Sequence, residues 1–216
     1  MGNLIIRPGD QNDVDIVQSI ANHAKSMPFL GGWSMRDVVA AGFDKNRRYP
    51  INIVAELDGT VVGFSDSKDK NIRYTEYDLV AVNPDYRRQG IATAMYTYHF
   101  FRGALTGKFL MRDFTNHFNE VMQEGFLPTL KAQKIATLRN RGRNFSSANW
   151  WAMPVNDHRL VLMLDNIASH SHKITFVGLK ENLDMFDGIF EEAAKTMNDD
   201  SLARAESLRN KVKELL

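Results

Sequence analysis

In the stretch "AVNPDYRRQGIATA", Arg87, Arg88, Gly90 and Ala92 stand where an apolar run gives way to a helix-like pattern. Gly90 lets backbone approach a ligand closely, and the small Ala92 keeps that approach open. The first amides of a helix have no internal partner, and the positive end of its dipole points at them. The turn is therefore an anion cradle with Arg87 and Arg88 at its rim, and the expected ligand bears phosphate. A dinucleotide fingerprint would need three glycines, and only one is present here. "GALTGKF" at Gly103 is one residue short of a P-loop and ends in Phe109.

The elements that must hold this turn are read from periodicity. "NLIIRPGDQNDVDIV" gives a short strand, a Pro-Gly stop and capping residues for a helix with Val14, Val17, Ala21 and Ala24 on one face. A second helix is expected at Met35 to Phe43. From Tyr49 the period becomes two: "INIVAEL", the turn Asp58-Gly59, "TVVGFSDS", a polar "KDKN" turn and "IRYTEYDLVAV" form an antiparallel meander. The helix after Gly90, with Ile91, Met95 and Phe101 on one face, leads to the strand "KFLMRDF", a βαβ unit with parallel strands. "NHFNEVMQEGF" reads as a helix ending at Gly125, and "FSSANWWAMP" and "HRLVLML" read as strands. The last forty residues read as two amphipathic helices. One carries Leu183, Phe186, Phe190, Ala193 and Met197; the other carries Leu202, Ala205, Leu208, Val212 and Leu215.

These residues together resemble the GNAT superfamily of acetyl-CoA-dependent N-acetyltransferases. "RRQGIA" matches its [RQ]-x-x-G-x-[GA] pattern through Arg87, Gly90 and Ala92, and "LVAVNPDYRR" is similar to its lead-in. The opening strand with "IRP", the meander and "EGF" at Glu124 to Phe126 extend the likeness over Leu4 to Asp165. The expected fold class is α/β, a mixed and mostly antiparallel sheet flanked by helices. The domain spans residues 1–168, and residues 174–216 form a helical C-terminal extension.

The resemblance implies acetyl-CoA as acyl donor, with its pyrophosphate on the amides of Arg88, Gln89, Gly90, Ile91 and Ala92, and no metal. It implies that Val80 and Val82 amides bind the pantetheine arm and polarise the thioester carbonyl. Asn116 is similar to an asparagine that contacts the same arm. The acceptor is a primary amine, on a protein or a small molecule. A lysine-like amine of pKa ~10.4 is neutral about once in 2,500 at pH 7, a deficit of about 4.6 kcal/mol that the site must supply. Glu76, fourteen residues before Gly90, matches a glutamate base in histone-acetylating members. Asp78 is placed on the same strand face by two-residue alternation, to hold the substrate cation or replace Glu76. Many members protonate the departing thiolate with a tyrosine at the position of Val121, so that acid is missing, with Tyr86, Tyr96, Tyr98 and His117 as the nearby substitutes. The absence leaves a second reading, a binding-only relative.

Composition sets the remaining bounds. The chain has 216 residues, 44% hydrophobic and 25% charged, a net charge of +1 and no cysteine. That excludes thiol catalysis, disulfides and thiolate metal sites, and favours direct attack over an acyl-enzyme. No apolar run reaches spanning length, so a cytoplasmic protein away from membranes is expected. Lys131, Lys134, Arg139, Arg141 and Arg143, followed by Phe145, Trp150 and Trp151, read first as a solvated loop and a core strand, with nucleic acid as the lesser alternative. "HSH" at His170 to His172 lacks partners at metal-ligand spacing and reads as a loop. The C-terminal helices are expected to pack on the chain's own core or on a second copy, giving a homodimer.

Overall fold

The computed structural model describes residues 2–23, 50–116, 121–138, 148–170 and 172–216. The expected helix at 35–43 and His117, Arg139, Arg141, Arg143 and Phe145 lie outside them. Asp10 opens the chain's first helix by accepting from Asn12 N, while Asp13 reaches back to the Asp10 amide at 2.9 Å. This capping box joins β1 (Asn3–Pro8) to α1 (Val14–His23), which buries Val14, Val17, Ile20 and Ala21 against Val54, Phe64 and Ala81.

The meander forms as the alternation requires. β2 (Pro50–Leu57) and β3 (Thr60–Asp69) are joined by Asp58 and Gly59, both at positive φ (48° and 83°), the backbone that matches strand twist. β3 runs through "KD", two residues into the expected turn. β4 (Tyr74–Val82) completes the meander, α2 (Ile91–Leu105) crosses over, and β5 (Leu110–Asn116) pairs parallel with β4. Among the described residues the sheet has eight strands in the order β6 (Gln133–Leu138), β7 (Ala148–Pro154), β5, β4, β3, β2, β1 and β8 (Lys173–Phe176), and only the β4–β5 and β1–β8 pairs are parallel. It is a mixed, largely antiparallel sheet flanked by helices.

Three expectations are corrected. "HRLVLML" is not a strand: Asn156 caps Arg159 N, and α3 (Asp157–Ala168) buries Leu160 and Met163 at helical spacing. Its short apolar run is ambiguous by pattern alone, and the cap decides it. The sheet instead takes β6 (Gln133–Leu138) from the segment read as a loop, beside β7 (Ala148–Pro154). The helix expected to end at Gly125 continues: a wide turn at Val121–Phe126 runs into Leu127–Thr129, and Arg159 donates to the carbonyls of Leu130 and Lys131 beyond it.

After α3, β8 (Lys173–Phe176) joins the free edge of β1, followed by α4 (Leu183–Ala194) and α5 (Asp199–Leu215). Phe186, Phe190 and Ala193 of α4 and Leu208 and Val212 of α5 are buried, so both stripes pack into the chain's own core. Asp187 ties the two helices together, accepting from Lys213 at 3.0 Å and from Arg209. No described helix is long and apolar enough to cross a membrane.

α2 is the centre of this packing, buried almost all round between the sheet and α3, α4 and α5. Its C-terminal half is fixed by buried polar groups. Arg102 donates twice to Asp69, at 3.2 and 2.8 Å, and Lys108 lies 3.7 Å from the same carboxylate. Burial would raise the Asp69 carboxyl, but Arg102 and Lys108 bring it below its ordinary value. His99, 1% exposed, bonds Ser67 Oγ at 3.0 Å and Ser65 Oγ at 3.2 Å. Burial, aided by Arg102, lowers its pKa to about 3. The denatured chain takes up that proton near pH 6.5 and the native chain does not, so this contribution is complete above 6.5 and is lost as pH falls towards 3. Urea unfolding at pH 7 and pH 5 will therefore show a loss of about 2 kcal/mol from this group, absent in His99→Gln. Equal losses in both proteins would refute the assignment.

Candidate active site

β4 and β5 pair only from Tyr74–Leu110 to Tyr77–Asp113, after which β4 continues to Val82 and β5 to Asn116 unpaired with one another. Two strands of one sheet thus part and leave a gap. Against β3, Ser67 pairs with Tyr77 but Asp66 with Leu79, so β4 carries one extra residue at Asp78. Past this bulge the faces switch: Tyr77 packs on the α2 side, as do Val80 and Val82, while Leu79 and Ala81 pack on the α1 side.

The bulge also sets the amides. Asn83 N donates to Val62 O at 2.8 Å, and amides alternate along a strand. The amides of Leu79 and Ala81 therefore face β3, and those of Val80 and Val82 face the gap. The chain leaves β4 through a tight turn in which Asn83 accepts from Asp85 N and Pro84–Tyr86 forms one 3-10 turn. Arg87 Nε donates to Val82 O at 3.1 Å, folding its side chain back over the gap's mouth.

Arg88 and Gly90 both take positive φ, 64° and 80°, and α2 begins at Ile91 with no side-chain cap on its first amides. Arg87 and Arg88 are exposed, Gln89, Gly90 and Ala92 half-buried, and the Ile91 side chain is in the core. The cradle therefore opens at the end of the gap. His170, from the "HSH" stretch, stands over it: a Cβ on Gly90 would lie 2.1 Å from the His170 ring. Topology brings it there, because β8 runs parallel to β1 from the Asn3–Lys173 pair, at the sheet end where β4 exits. The contact spans eighty residues, and no local signal marks it.

Glu76 lies on the last rung but one before the gap, on the face opposite Tyr77, and its Oε1 is 3.0 Å from Lys70 Nζ. Asp78 is the bulged residue, so the alternation that put it on Glu76's face is interrupted there; its side chain and that of Asn116 lie outside the described ones. Val121 is 71% exposed. Two of the nearby phenols are buried, Tyr96 and Tyr98, and Tyr86 is half-buried. Tyr96 is fully buried, donates to Asp113, and is raised well above its ordinary value by burial and that carboxylate. Tyr98 is pushed up to about 12 by burial. Trp151 donates to Thr115 Oγ1 at 3.0 Å, and Trp150 stacks on Arg112. The tryptophans of the basic segment are thus engaged within the sheet.

Alanine at Gly90 would be strained by the positive φ, about 1–2 kcal/mol, and would collide with the imidazole. A double-mutant cycle with His170→Ala will show Gly90→Ala costing less when the ring is absent, by at least about 0.5 kcal/mol. Additive losses of stability would mean that the ring does not rest on Gly90.

Comparison with known proteins agrees with this geometry. Residues 18–102, from α1 through the cradle to α2, match the acetyltransferase (GNAT) family. The ribosomal-protein-S18-alanine N-acetyltransferase from Escherichia coli superposes with a TM-score of 0.56 at 17% identity, over 72% of this chain and 94% of that one. An N-acetyltransferase from Staphylococcus aureus Mu50 gives 0.59 at 18%, over 71% and 99%. A Salmonella typhimurium protein solved with its cofactor acetyl-CoA gives 0.59 at 18%, over 72% and 96%. No curated protein matches the chain significantly. Residues 18–102, which carry the cradle and one wall of the gap, match the acetyltransferase (GNAT) family, and the chain has the fold of these solved acetyltransferases.

Proposed function

We propose that the chain transfers an acetyl group from acetyl-CoA to an amine by direct attack within a ternary complex. The observation that carries this reading is the continuity of the gap and the cradle: the amides of Val80 and Val82 face the space that ends at the uncapped start of α2. An elongated thioester with a pyrophosphate fits that succession of groups. The amides of Arg88 to Ala92 would take the phosphates, with Arg87 and Arg88 neutralising charge at the rim. The amides of Val80 and Val82 would hold the arm and polarise the carbonyl, a role for main chain that sequence does not display. The family likeness adds Asn116 as a contact on the arm.

The donor supplies an activated carbonyl: the amine nitrogen forms the C–N bond, the C–S bond breaks, and CoA leaves as thiolate. Glu76 would accept the amine's proton through Oε2, since Lys70 engages Oε1, and release it to water. Asp78, two residues on along the strand, would hold the substrate's cation or replace Glu76 as the base. A CoA thiol is comparable with cysteine at ~8.5, so a thiolate can depart without a dedicated acid. A cytoplasmic enzyme suits this donor.

A binding-only relative is the second reading, favoured by exposed Val121 and by the burial of the Tyr96 and Tyr98 phenols. Titration calorimetry and a thiol-release assay separate the two. We expect acetyl-CoA to bind in the micromolar range and Gly90→Glu to weaken it at least about 100-fold, because bulk and negative charge enter the cradle. Glu76→Gln is expected to lower turnover about 10²–10⁴-fold with acetyl-CoA affinity unchanged. Binding without turnover for any amine would select the second reading, and no binding at all would reject both.

A further inference from the structure

Arg112 has an unusual setting for a guanidinium. On β5, Met111 and Asp113 are buried towards α2, so Arg112 projects from the opposite face, the one that Glu76 occupies. In the parallel register Arg112 is the direct partner of Glu76, one rung before the gap opens. Neighbouring strands lie about 4.8 Å apart, so the two side chains stand side by side.

Two aromatic rings lie against the guanidinium. Its Cζ lies 3.6 Å from the Trp150 ring centroid and 4.7 Å from that of Tyr74. Nε is buried without a hydrogen bond, and the fork makes no hydrogen bond or ion pair among the described residues. A half-buried guanidinium ordinarily pairs with an acid, because an unpaired buried donor costs about 1–3 kcal/mol. Here its acidic neighbour across the strand is turned to Lys70 instead. No described acid takes up the guanidinium's N–H groups, which suit a planar, two-oxygen acceptor.

We infer that Arg112 binds a carboxylate on the acceptor, and that the acceptor is an amine bearing that carboxylate on the same molecule. This rests on the acyl-transfer reading above. The ammonium or amine end of the acceptor lies at Glu76, its carboxylate is taken bidentately by Arg112, and both stand at the closed end of the gap. The pairing excludes polycationic amines, whose second charge would meet Arg112 and Lys70.

The test compares each of several free amino acids and acidic dipeptides with the amine that lacks its carboxylate, using acetyl-CoA and a thiol-release readout. The carboxylate-bearing member of each pair is expected to have the higher kcat/KM, by about 10–100-fold. Arg112→Met, which keeps apolar volume against the rings, should raise KM for that member by a similar factor, leave kcat within about threefold and leave the calorimetric acetyl-CoA affinity unchanged. Arg112→Lys, with charge but no fork, should fall between. Equal use of both members by the parent, preference for polyamines, or an unchanged KM in Arg112→Met would overturn the inference while acetyl-CoA binding stood. Turnover of neither member of any pair, with acetyl-CoA still bound, would also overturn it. Loss of acetyl-CoA binding by the parent would instead take down the acyl-transfer reading and this inference with it. Whether free amino acids or the dipeptides react better identifies the source of the carboxylate.

Discussion

The β4–β5 ladder stops at Tyr77 and Asp113, and the site depends on that stop. Strands in a sheet gain by pairing every amide, so a parting needs groups that prefer something else. Asp113 turns its carboxylate to the Tyr96 hydroxyl on α2, and Tyr77 stacks on the Tyr96 ring at 4.3 Å, nearly parallel. The last rung is thereby fastened to the helix. One residue on, the bulge at Asp78 twists β4 away and reverses which side chains face α2. The gap is the consequence of a buried acid, two stacked phenols and one extra residue.

Because the last rung is tied to α2, the helix fixes both ends of the site. Its first turn forms the cradle, and its C-terminal half is anchored through Arg102 to Asp69 on β3, beside which Lys108, just past the helix, also lies. Removing one member of such a buried group costs several kcal/mol, since the remaining charge is left unpaired. α4 packs where the helix ends, with its Phe190 and Ala193, and Met197 just beyond it, close against Gly107. α3 and β8 then carry His170 back to the cradle. The C-terminal third of the chain therefore bears on the site without supplying its main parts.

Local patterns were legible where one physical preference dominates. The meander follows from alternation and the Asp58–Gly59 turn, the positive-φ turn ahead of α2 from Gly90, and the parallel β4–β5 pair from the strand-helix-strand order. "HRLVLML" was misread because an apolar run suits a buried strand and a helix equally, and the cap at Asn156 lay just before it. β6 was missed because its exposed Lys134 and Ile135 break the alternation on which strand reading depends. Asp78's place was argued from strict alternation, which a bulge suspends and no sequence pattern here announces. The groups around the gap's closed end, Tyr96 with Asp113 and Arg112 against its rings, come together across three strands and a helix. Each looks ordinary in its own segment.

The most direct test of the account is amide hydrogen exchange resolved at single residues along β4, with and without saturating acetyl-CoA. The alternation set by Asn83 requires the Leu79 and Ala81 amides to be slow in the free protein, bonded to β3, and those of Val80 and Val82 to exchange faster and to slow on addition of acetyl-CoA. If Val80 and Val82 are already protected without ligand, or are unaffected while acetyl-CoA is bound, the gap does not hold the donor and the account of the site is wrong.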